Sequence, residues 1–390
     1  MSDVSFMRLA LRLARRGYGS TSPNPLVGAV LVKAGRVVGR GWHRCAGGPH
    51  AEIEAIQDAQ KHGYSPRGST LYVTLEPCST HGRTPPCTDA ILDAGIRRVV
   101  IGTTDPNPDH AGRGGELLRR AGIKVLEFQG GDSPTAHGAA QAKLERDCTA
   151  LNAVFNHWIV RRTPFVTVKA AMTLDGKIAT AGGQSKWITG EKARAQGMKL
   201  RLGSDAVLVG VNTVLADDPS LTVRGEVQTP RIKPLRRIIL DSLGRTPLTA
   251  KVVSDGFAAC TTVVVSRRAP KARIAALAKK VNVIMAPLSK AGRGARPQVD
   301  PGWLLKKLGA ENITSLLVEG GGEVNASFLL GGFAQSVAFF YAPKILGGSA
   351  SRKGVAGEGA TNPGGSLRLA NLRWRRLGDD LMLSARVVRP

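Results

Sequence analysis

Four residues carry the clearest chemistry in this chain: His50 and Glu52 in Pro49-His50-Ala51-Glu52, Cys78 after Pro77, and Cys87 after Pro86. One imidazole and two thiolates balance the formal charge of a zinc ion. They leave a fourth tetrahedral position open, as catalytic rather than structural zinc sites do. Such an ion acidifies water toward neutrality. The nucleophile so made can attack an amidine-like ring carbon that bears an amino group. Glu52 would carry the proton from water to the ring nitrogen and then to departing ammonia. Each ligand follows a proline and is expected at a helix start, where the dipole favours a thiolate. A lone His-x-Glu is weak, and buried cysteines are often plain core. The conjunction points to metal.

The elements that must hold these residues follow from pattern. Leu26 to Lys33 and Val37 to Trp42 read as strands, and a helix is expected from His50 to His62. A strand from Thr70 to Leu75 ends at Glu76-Pro77-Cys78. A helix from Cys87 to Ala94, a strand from Arg98 to Thr103, a helix from Glu116 and a strand from Ile123 to Phe128 complete an alternating α/β unit. Ser22-Pro23-Asn24-Pro25 and Asp105-Pro106-Asn107-Pro108 are rigid turns. Val4, Met7, Leu11, Ala14 and Tyr18 form a helical stripe. Arg8, Arg12, Arg15 and Arg16, with only Asp3 acidic, give that segment a faint transit-peptide composition, but the stripe favours the first helix of the fold.

A break at Gly130 to Pro134 precedes one long helix to Trp158, and Arg161-Arg162-Thr163-Pro164 marks a boundary. The expected domains are residues 1–146, a connecting helix or linker at 147–163, and residues 164–390. The second α/β unit has strands at Phe165 to Ala171, Ala206 to Val211, Arg237 to Asp241, Thr261 to Ser266, Asn282 to Met285, Ser315 to Glu319, Ser336 to Ala342 and Leu381 to Val388. Leu288 to Pro297 reads as a surface loop, and the Gly-rich Gly347 to Gly365 as mobile.

At 390 residues, two domains are the natural expectation. No apolar run is long enough to span a membrane. Five cysteines without a secretory leader argue against a disulfide framework and for a cytoplasmic chain with free thiols. The net charge is +26, and residues 231–310 hold 17 Lys and Arg against three Asp and Glu. That stretch offers only Phe257 and Trp303 for base stacking, so nucleic acid is not the expected partner. A solvated surface with a general attraction for phosphorylated small molecules accounts for it.

The spacer between the cysteines resolves the family. Pro77-Cys78-Ser-Thr-His-Gly-Arg-Thr-Pro-Pro-Cys87, Ser22-Pro23-Asn24-Pro25-Leu-Val-Gly28 and Asp105-Pro106-Asn107-Pro108 resemble the deaminase half of the bifunctional riboflavin-biosynthesis deaminase/reductases. The resemblance covers nearly all of the chain. It implies an N-terminal cytidine-deaminase-like α/β/α domain followed by a dihydrofolate-reductase-like α/β domain. The implied substrate is a 2,5-diamino-6-(5-phosphoribosylamino)pyrimidinone, deaminated at ring position 2, with His50, Cys78 and Cys87 on zinc and Glu52 moving protons. Asn24 and His43 are candidate substrate contacts, or braces of a turn. His81 and Arg83 could meet the ring or the ribose phosphate. Thr80 stands where many relatives have a second histidine or another polar residue, and Glu76 is expected to support the site rather than react.

In the second half, Lys169 to Ala179, Ser185-Lys186-Trp187-Ile188-Thr189, Gly210 to Arg224 and Val318-Glu319-Gly320-Gly321-Gly322 resemble the family's NADPH-dependent reductase. No Gly-x-Gly-x-x-Gly follows the first strand of this unit, so no Rossmann unit is supported. The glycine run suits a phosphate at a helix start, or simply a tight turn. The resemblance implies hydride delivery to C1 of the ribosyl group. It implies that Ala171, Trp187, Thr213, Asp217, Ser242, Gly321, Gly322, Glu323, Val324, Asn325, Ala326 and Ser327 line NADPH. Ser185, Arg201, Leu221, Arg224 and Glu319 would contact substrate, with the arginines suited to its phosphate. Lys169 and Asp217 are candidates for orienting the sugar or relaying a proton, and Asp217 and Asp218 could also cap a turn. Gln335-Ser336 replaces an acidic pair common in relatives and is expected at an edge or interface. A homo-oligomer is expected. A nucleic-acid deaminase and a zinc-stabilised binding module are the rival readings.

Overall fold

A computed structural model describes residues 2–80, 85–128, 135–224, 233–289 and 298–388. The chain forms two compact units, one up to Arg162 and one from Thr163 onward.

In the first unit, helices α1 (Asp3–Ala14), α2 (Ala51–Lys61), α3 (Cys87–Asp93), α4 (Arg113–Arg120), α5 (Ala136–Leu151) and α6 (Ala153–Arg161) accompany a five-stranded sheet. Its strands are β1 (Gly28–Lys33), β2 (Arg36–Trp42), β3 (Thr70–Val73), β4 (Arg98–Ile101) and β5 (Lys124–Glu127), in the order β2-β1-β3-β4-β5. β1 runs antiparallel to both neighbours, and β3, β4 and β5 run parallel. Period-two alternation assigns the faces. Ala29, Leu31, Leu71, Val73, Val99 and Ile101 pack with α2, α3 and α4. Val30, Val32, Tyr72 and Val100 pack with α1 and α5. The product is the expected α/β/α sandwich.

Two glycines seat α2. A Cβ on Gly41 would lie 2.2 Å from the Ala51 carbonyl oxygen, and one on Gly39 would lie 2.2 Å from that of Ala55. Only hydrogen at these Cα atoms lets the helix rest directly on β2. α1 buries Val4, Met7, Leu11 and Ala14 as its period predicts. Its first turn is fixed by Asp3, whose carboxylate takes both a forked Arg98 contact at 2.6 and 3.0 Å and the Tyr72 hydroxyl at 2.6 Å. Tyr18 lies beyond the helix and is exposed.

Three expectations need correction here. The single helix to Trp158 is two helices broken at Asn152, whose buried amide accepts from Leu26 N at 2.8 Å and donates to Leu26 O at 3.0 Å. α6 stays with the first unit. Cys78 is not at a helix start; it sits in the loop after β3, and only His50 and Cys87 adjoin helices. The break at Gly130 to Pro134 lies outside the described residues.

The second unit is built on a nine-stranded sheet. The strands of this unit are β6 (Phe165–Thr173), β7 (Lys177–Ala179), β8 (Ala206–Gly210), β9 (Arg236–Leu240), β10 (Thr261–Val265), β11 (Asn282–Met285), β12 (Ser315–Val318), β13 (Ser336–Ala342), β14 (Arg352–Lys353), β15 (Arg368–Leu377) and β16 (Asp380–Val388). The large sheet has the order β11-β10-β9-β8-β12-β6-β13-β16-β15. Neighbours run parallel from β11 through β13, and the β15-β16 hairpin adds an antiparallel edge. Helices α7 (Glu191–Leu202), α8 (Val211–Asp217), α9 (Lys251–Ser254), α10 (Lys271–Ala278), α11 (Pro301–Ala310) and α12 (Gly322–Leu330) cover both faces. Val166, Leu208, Ile238 and Leu316 meet α11 and α12, whereas Val207, Val209, Ile239 and Val263 meet α8, α9 and α10. Near-continuous apolar strands are what two covered faces require.

The Gly-rich stretch after Gly347 is anchored, not loose, where it matters. β14 pairs with β7, and the Asp175 carboxylate accepts from the Leu346 and Gly347 amides at 3.1 and 2.8 Å. Gln335-Ser336 lies inside the sheet rather than at an edge. Gln335 Oε1 accepts from Val166 N at 2.6 Å, and the Ser336 and Thr167 hydroxyls meet at 2.8 Å. Part of the expected loop at Leu288 to Pro297 lies outside the described residues; Ser289 N donates to Gln298 O across its base. No helix among the described residues is long and apolar enough to cross a membrane.

Candidate active sites

In the first unit, His50 caps α2 with extended backbone, Cys87 opens α3 after Pro86, and the loop following β3 delivers Cys78 between them. His50 Nδ1 lies 3.2 Å from Cys87 Sγ and 3.5 Å from Cys78 Sγ, and the donor atoms all fall within 4.8 Å of one another. A tetrahedral ion with typical Zn–N and Zn–S lengths would separate such donors by about 3.5–3.8 Å. The donor set therefore fits a metal of that kind. Cys87 N donates to Cys78 Sγ at 3.3 Å, which favours a thiolate there. Sharing a proton with Cys87 pulls the Cys78 thiol down to about 4 and pushes that of Cys87 up.

Glu52, on the first turn of α2, is 3% exposed, and its Oε2 has no hydrogen-bond partner. Burial pushes its carboxyl up to about 7, against the pull of His50. An orphaned buried carboxylate oxygen beside a metal-ligating cluster is poised for a proton that the protein itself does not supply.

Behind the cluster, His43 packs edge-on against His50 at 5.5 Å between ring centroids. Its Nδ1 is 2.9 Å from Pro49 O and its Nε2 is 3.2 Å from Asn24 Nδ2. That pairing requires Nδ1–H to donate and Nε2 to accept, so the ring is neutral; burial lowers its pKa. Glu76 is a brace: its carboxylate accepts from the Asp105, Gly112 and Gly115 amides at 3.1, 2.9 and 3.1 Å. It thereby draws the Asp105-Pro106-Asn107-Pro108 turn and the start of α4 toward the cysteine loop. Thr80 Oγ1 meets His110 Nδ1 at 3.3 Å. His81 and Arg83 lie outside the described residues.

In the second unit, Glu319 follows β12 and is held by two cations. Arg201, from α7, reaches it through Nε at 2.8 Å and Nη2 at 3.0 Å; Lys169 Nζ, from β6, is 3.6 Å away. Burial alone would raise the Glu319 carboxyl, but Lys169 and Arg201 outweigh it and hold it at about 2. The third Arg201 contact, Nη1 to Thr222 O at 2.9 Å, ties this cluster to Leu221. Leu221 is buried in left-handed backbone (φ 52°), and Asp218 is also left-handed (φ 40°). On the other side of Leu221, the fully buried Arg237 donates to Ser220 O at 2.9 Å while forking onto Asp255 at 2.7 and 2.8 Å. Two arginines thus grip the carbonyls flanking Leu221. The Arg201 guanidinium thus meets both carboxylate and backbone. Arg224 is exposed.

The structure also joins Ser185 to Asp217 (Oγ to Oδ1, 3.1 Å), and places Trp187, 66% exposed, under the Arg194 guanidinium at 4.6 Å. Thr213 lies on α8 and Ser242 just beyond β9. Gly321 precedes α12 with no side-chain cap, and a Cβ there would meet nothing within 4 Å. Its neighbours are tight: a Cβ on Gly320 would strike Val324 at 2.5 Å, and one on Gly322 would strike Lys353 O at 2.4 Å. The start of α12 thus lacks a side-chain cap and has open space beside Gly321, a combination that suits an anion. Asn325 and Ala326 are buried; the Asn325 side-chain nitrogen donates to Gly354 O at 2.8 Å, and its Oδ1 is buried without a partner. Sequence reasoning missed Arg237, because it reads as the charged flank of a strand and its partners are distant.

A family model for the cytidine and deoxycytidylate deaminase zinc-binding region matches residues 1–103, and one for the RibD C-terminal domain matches residues 164–383. The riboflavin biosynthesis protein RibD of Actinobacillus pleuropneumoniae is 40% identical, over 100% of this chain and 96% of its own length. The solved RibD of Acinetobacter baumannii superposes with a TM-score of 0.82 at 34% identity, covering 99% of both chains. A diaminohydroxyphosphoribosylaminopyrimidine deaminase/5-amino-6-(5-phosphoribosylamino)uracil reductase from Thermotoga maritima does so with 0.78 at 36% identity, again over 99% of both. With both halves matched in order and end to end, this chain belongs to the RibD family of bifunctional riboflavin-biosynthesis deaminase/reductases.

Proposed function

We propose that the first unit uses zinc to deaminate a diaminohydroxyphosphoribosylaminopyrimidine, and that the second uses NADPH to reduce the ribosyl group of the resulting aminouracil. The carrying observation is the buried Glu52 with an unpartnered oxygen beside the His50, Cys78 and Cys87 donors. A zinc ion held by those three would supply the Lewis acidity that makes water nucleophilic near neutral pH. Glu52 takes the proton of the attacking water, returns it to the ring nitrogen, and then serves the departing ammonia. His43, fixed by Pro49 O and Asn24, holds the His50 side in place.

In the second unit, NADPH supplies the hydride. Glu319, kept ionised, and Lys169 orient the sugar hydroxyls, and Lys169 Nζ is the proton donor at the ring oxygen as C1 is reduced. Arg224 takes the substrate phosphate, while Arg201 fixes Glu319 and the Leu221 loop. Gly321 and the start of α12 meet the cofactor phosphates, with Thr213, Asp217, Ser242, Trp187 and Ala171 along its length. A small phosphorylated pyrimidine, not nucleic acid, is the partner, and the cytoplasm is the setting. Glu52→Gln tests the division of labour. Ammonia release should fall by about 100-fold or more, with zinc content and reduction of supplied aminouracil unchanged. Wild-type ammonia release by the zinc-loaded variant would remove Glu52 from the mechanism.

A further inference from the structure

Trp187 sits on a loop whose backbone is pinned by four elements, yet its side chain stays 66% exposed. Ser185 Oγ donates to Asp217 Oδ1, on α8, at 3.1 Å. Lys344 Nζ, just beyond β13, donates to Trp187 O at 3.0 Å. Arg194 Nη1, on α7, donates to Thr189 O at 2.9 Å, and Gly190 N donates to Asp380 Oδ2, on β16, at 2.7 Å. The Arg194 guanidinium also lies 4.6 Å over the indole. With one face so covered, an indole this exposed turns its other face to solvent. A fixed plate of that kind suits the stacking of a flat ring.

The register of α7 says which ring. Arg194, Gly197 and Arg201 lie at i, i+3 and i+7 of that helix, on one stripe. A Cβ on Gly197 would lie 3.9 Å from Lys169 Cε, and Arg201 forks onto Glu319. The stripe therefore leads from the indole to the Lys169–Glu319 pair within two turns, or about 10 Å. That span holds one sugar and one flat ring, and the ring that gives hydride to a sugar carbon is the nicotinamide. It is neutral before transfer and cationic after it. Arg194 forms no salt bridge among the described residues, so its charge is not cancelled by a paired acid. A stacking distance of about 4.5 Å on the open face would put the two cations about 9 Å apart. Their repulsion changes affinity about twofold in a water-like dielectric and about twentyfold at an effective value of about 20.

We propose that Arg194 is a positioning residue of the reductase: it fixes the Trp187 indole as the platform for the nicotinamide ring, and its charge loosens the hold on the oxidised form. This rests on the reading of the second unit as an NADPH reductase. Arg194→Gln removes the charge and Arg194→Lys keeps it, each with a side chain long enough to lie on the indole. Isothermal titration of the full chain at low salt gives dissociation constants for NADPH and for NADP⁺ without turnover. The ratio of the NADP⁺ value to the NADPH value should fall by about twofold or more in Arg194→Gln and hold in Arg194→Lys. Added salt should narrow the difference. A side chain that merely supports the loop would weaken both forms alike, and an unchanged ratio in Arg194→Gln overturns the proposal while the reductase reading survives. Trp187→Leu should weaken NADPH by about threefold or more. Wild-type NADPH affinity in that variant overturns the platform independently of any change at Arg194. Wild type that binds neither form, and oxidises no NADPH with supplied aminouracil, overturns both readings.

Discussion

Gly41→Ala should disable deamination without touching a reacting residue. The added Cβ would sit 2.2 Å from Ala51 O, 2.5 Å from Ala55 N and 2.9 Å from Glu54 Cβ. Real Cβ contacts essentially never fall under 3.0 Å. The two worst neighbours are backbone, so no rotamer change relieves them, and the first turn of α2 must retreat from β2 by roughly 1 Å, an overpacking that costs about 1–3 kcal/mol. His50 and Glu52 ride on that turn. A displacement of that size at a reacting constellation costs about 100-fold in rate. The assay follows ammonia release by the purified variant, with reduction of supplied aminouracil in the same sample as a control for folding. Gly256→Ala, whose Cβ would meet nothing within 4 Å, should change neither activity. Deamination by Gly41→Ala within threefold of wild type would refute the claim that this glycine seats the site.

Two further outcomes follow from the buried ion pairs of the second unit. The Glu319 carboxyl titrates at about 2 against an ordinary 4.5, so its contribution is complete above 4.5 and fades as pH falls toward 2. The shift corresponds to about 3 kcal/mol. Urea midpoints between pH 6 and 3 should fall more steeply for wild type than for Glu319→Gln, and parallel curves would show that the pair is not what holds the acid ionised. Arg237→Met orphans the buried acceptors Val252 O and Thr261 Oγ1 and removes the fork from the partly exposed Asp255, at a cost of about 1–3 kcal/mol. A thermal midpoint within a degree of wild type would contradict the burial argument.

The clustering of His50, Cys78 and Cys87 was legible because their residue types and spacing single them out, and the strands because both sheets keep period two or unbroken apolar runs. Cys78 was misplaced because a proline precedes a loop as readily as a helix. β15 was invisible: Arg368, Arg373, Arg375 and Arg376 interrupt any apolar alternation, as an exposed edge strand allows. The Asn152 break was hidden because its cause is Leu26, far away in sequence. Arg237 shares that difficulty, whereas the supporting role expected of Glu76 matches its contacts to the Asp105, Gly112 and Gly115 amides. The partners of Arg237 lie on other elements, and nothing local distinguishes a buried clamp from a surface charge.

The guanidinium of Arg201 serves two masters at once, since the plane that neutralises Glu319 also hooks the chain at Thr222. A single ammonium cannot fork in this way. In the proposed reductase, where Glu319 faces the sugar, a substitution at position 201 would release the acid and the Thr222 segment together. Exposed Arg224, to which the proposed function gives the substrate phosphate, can change without loosening either anchor.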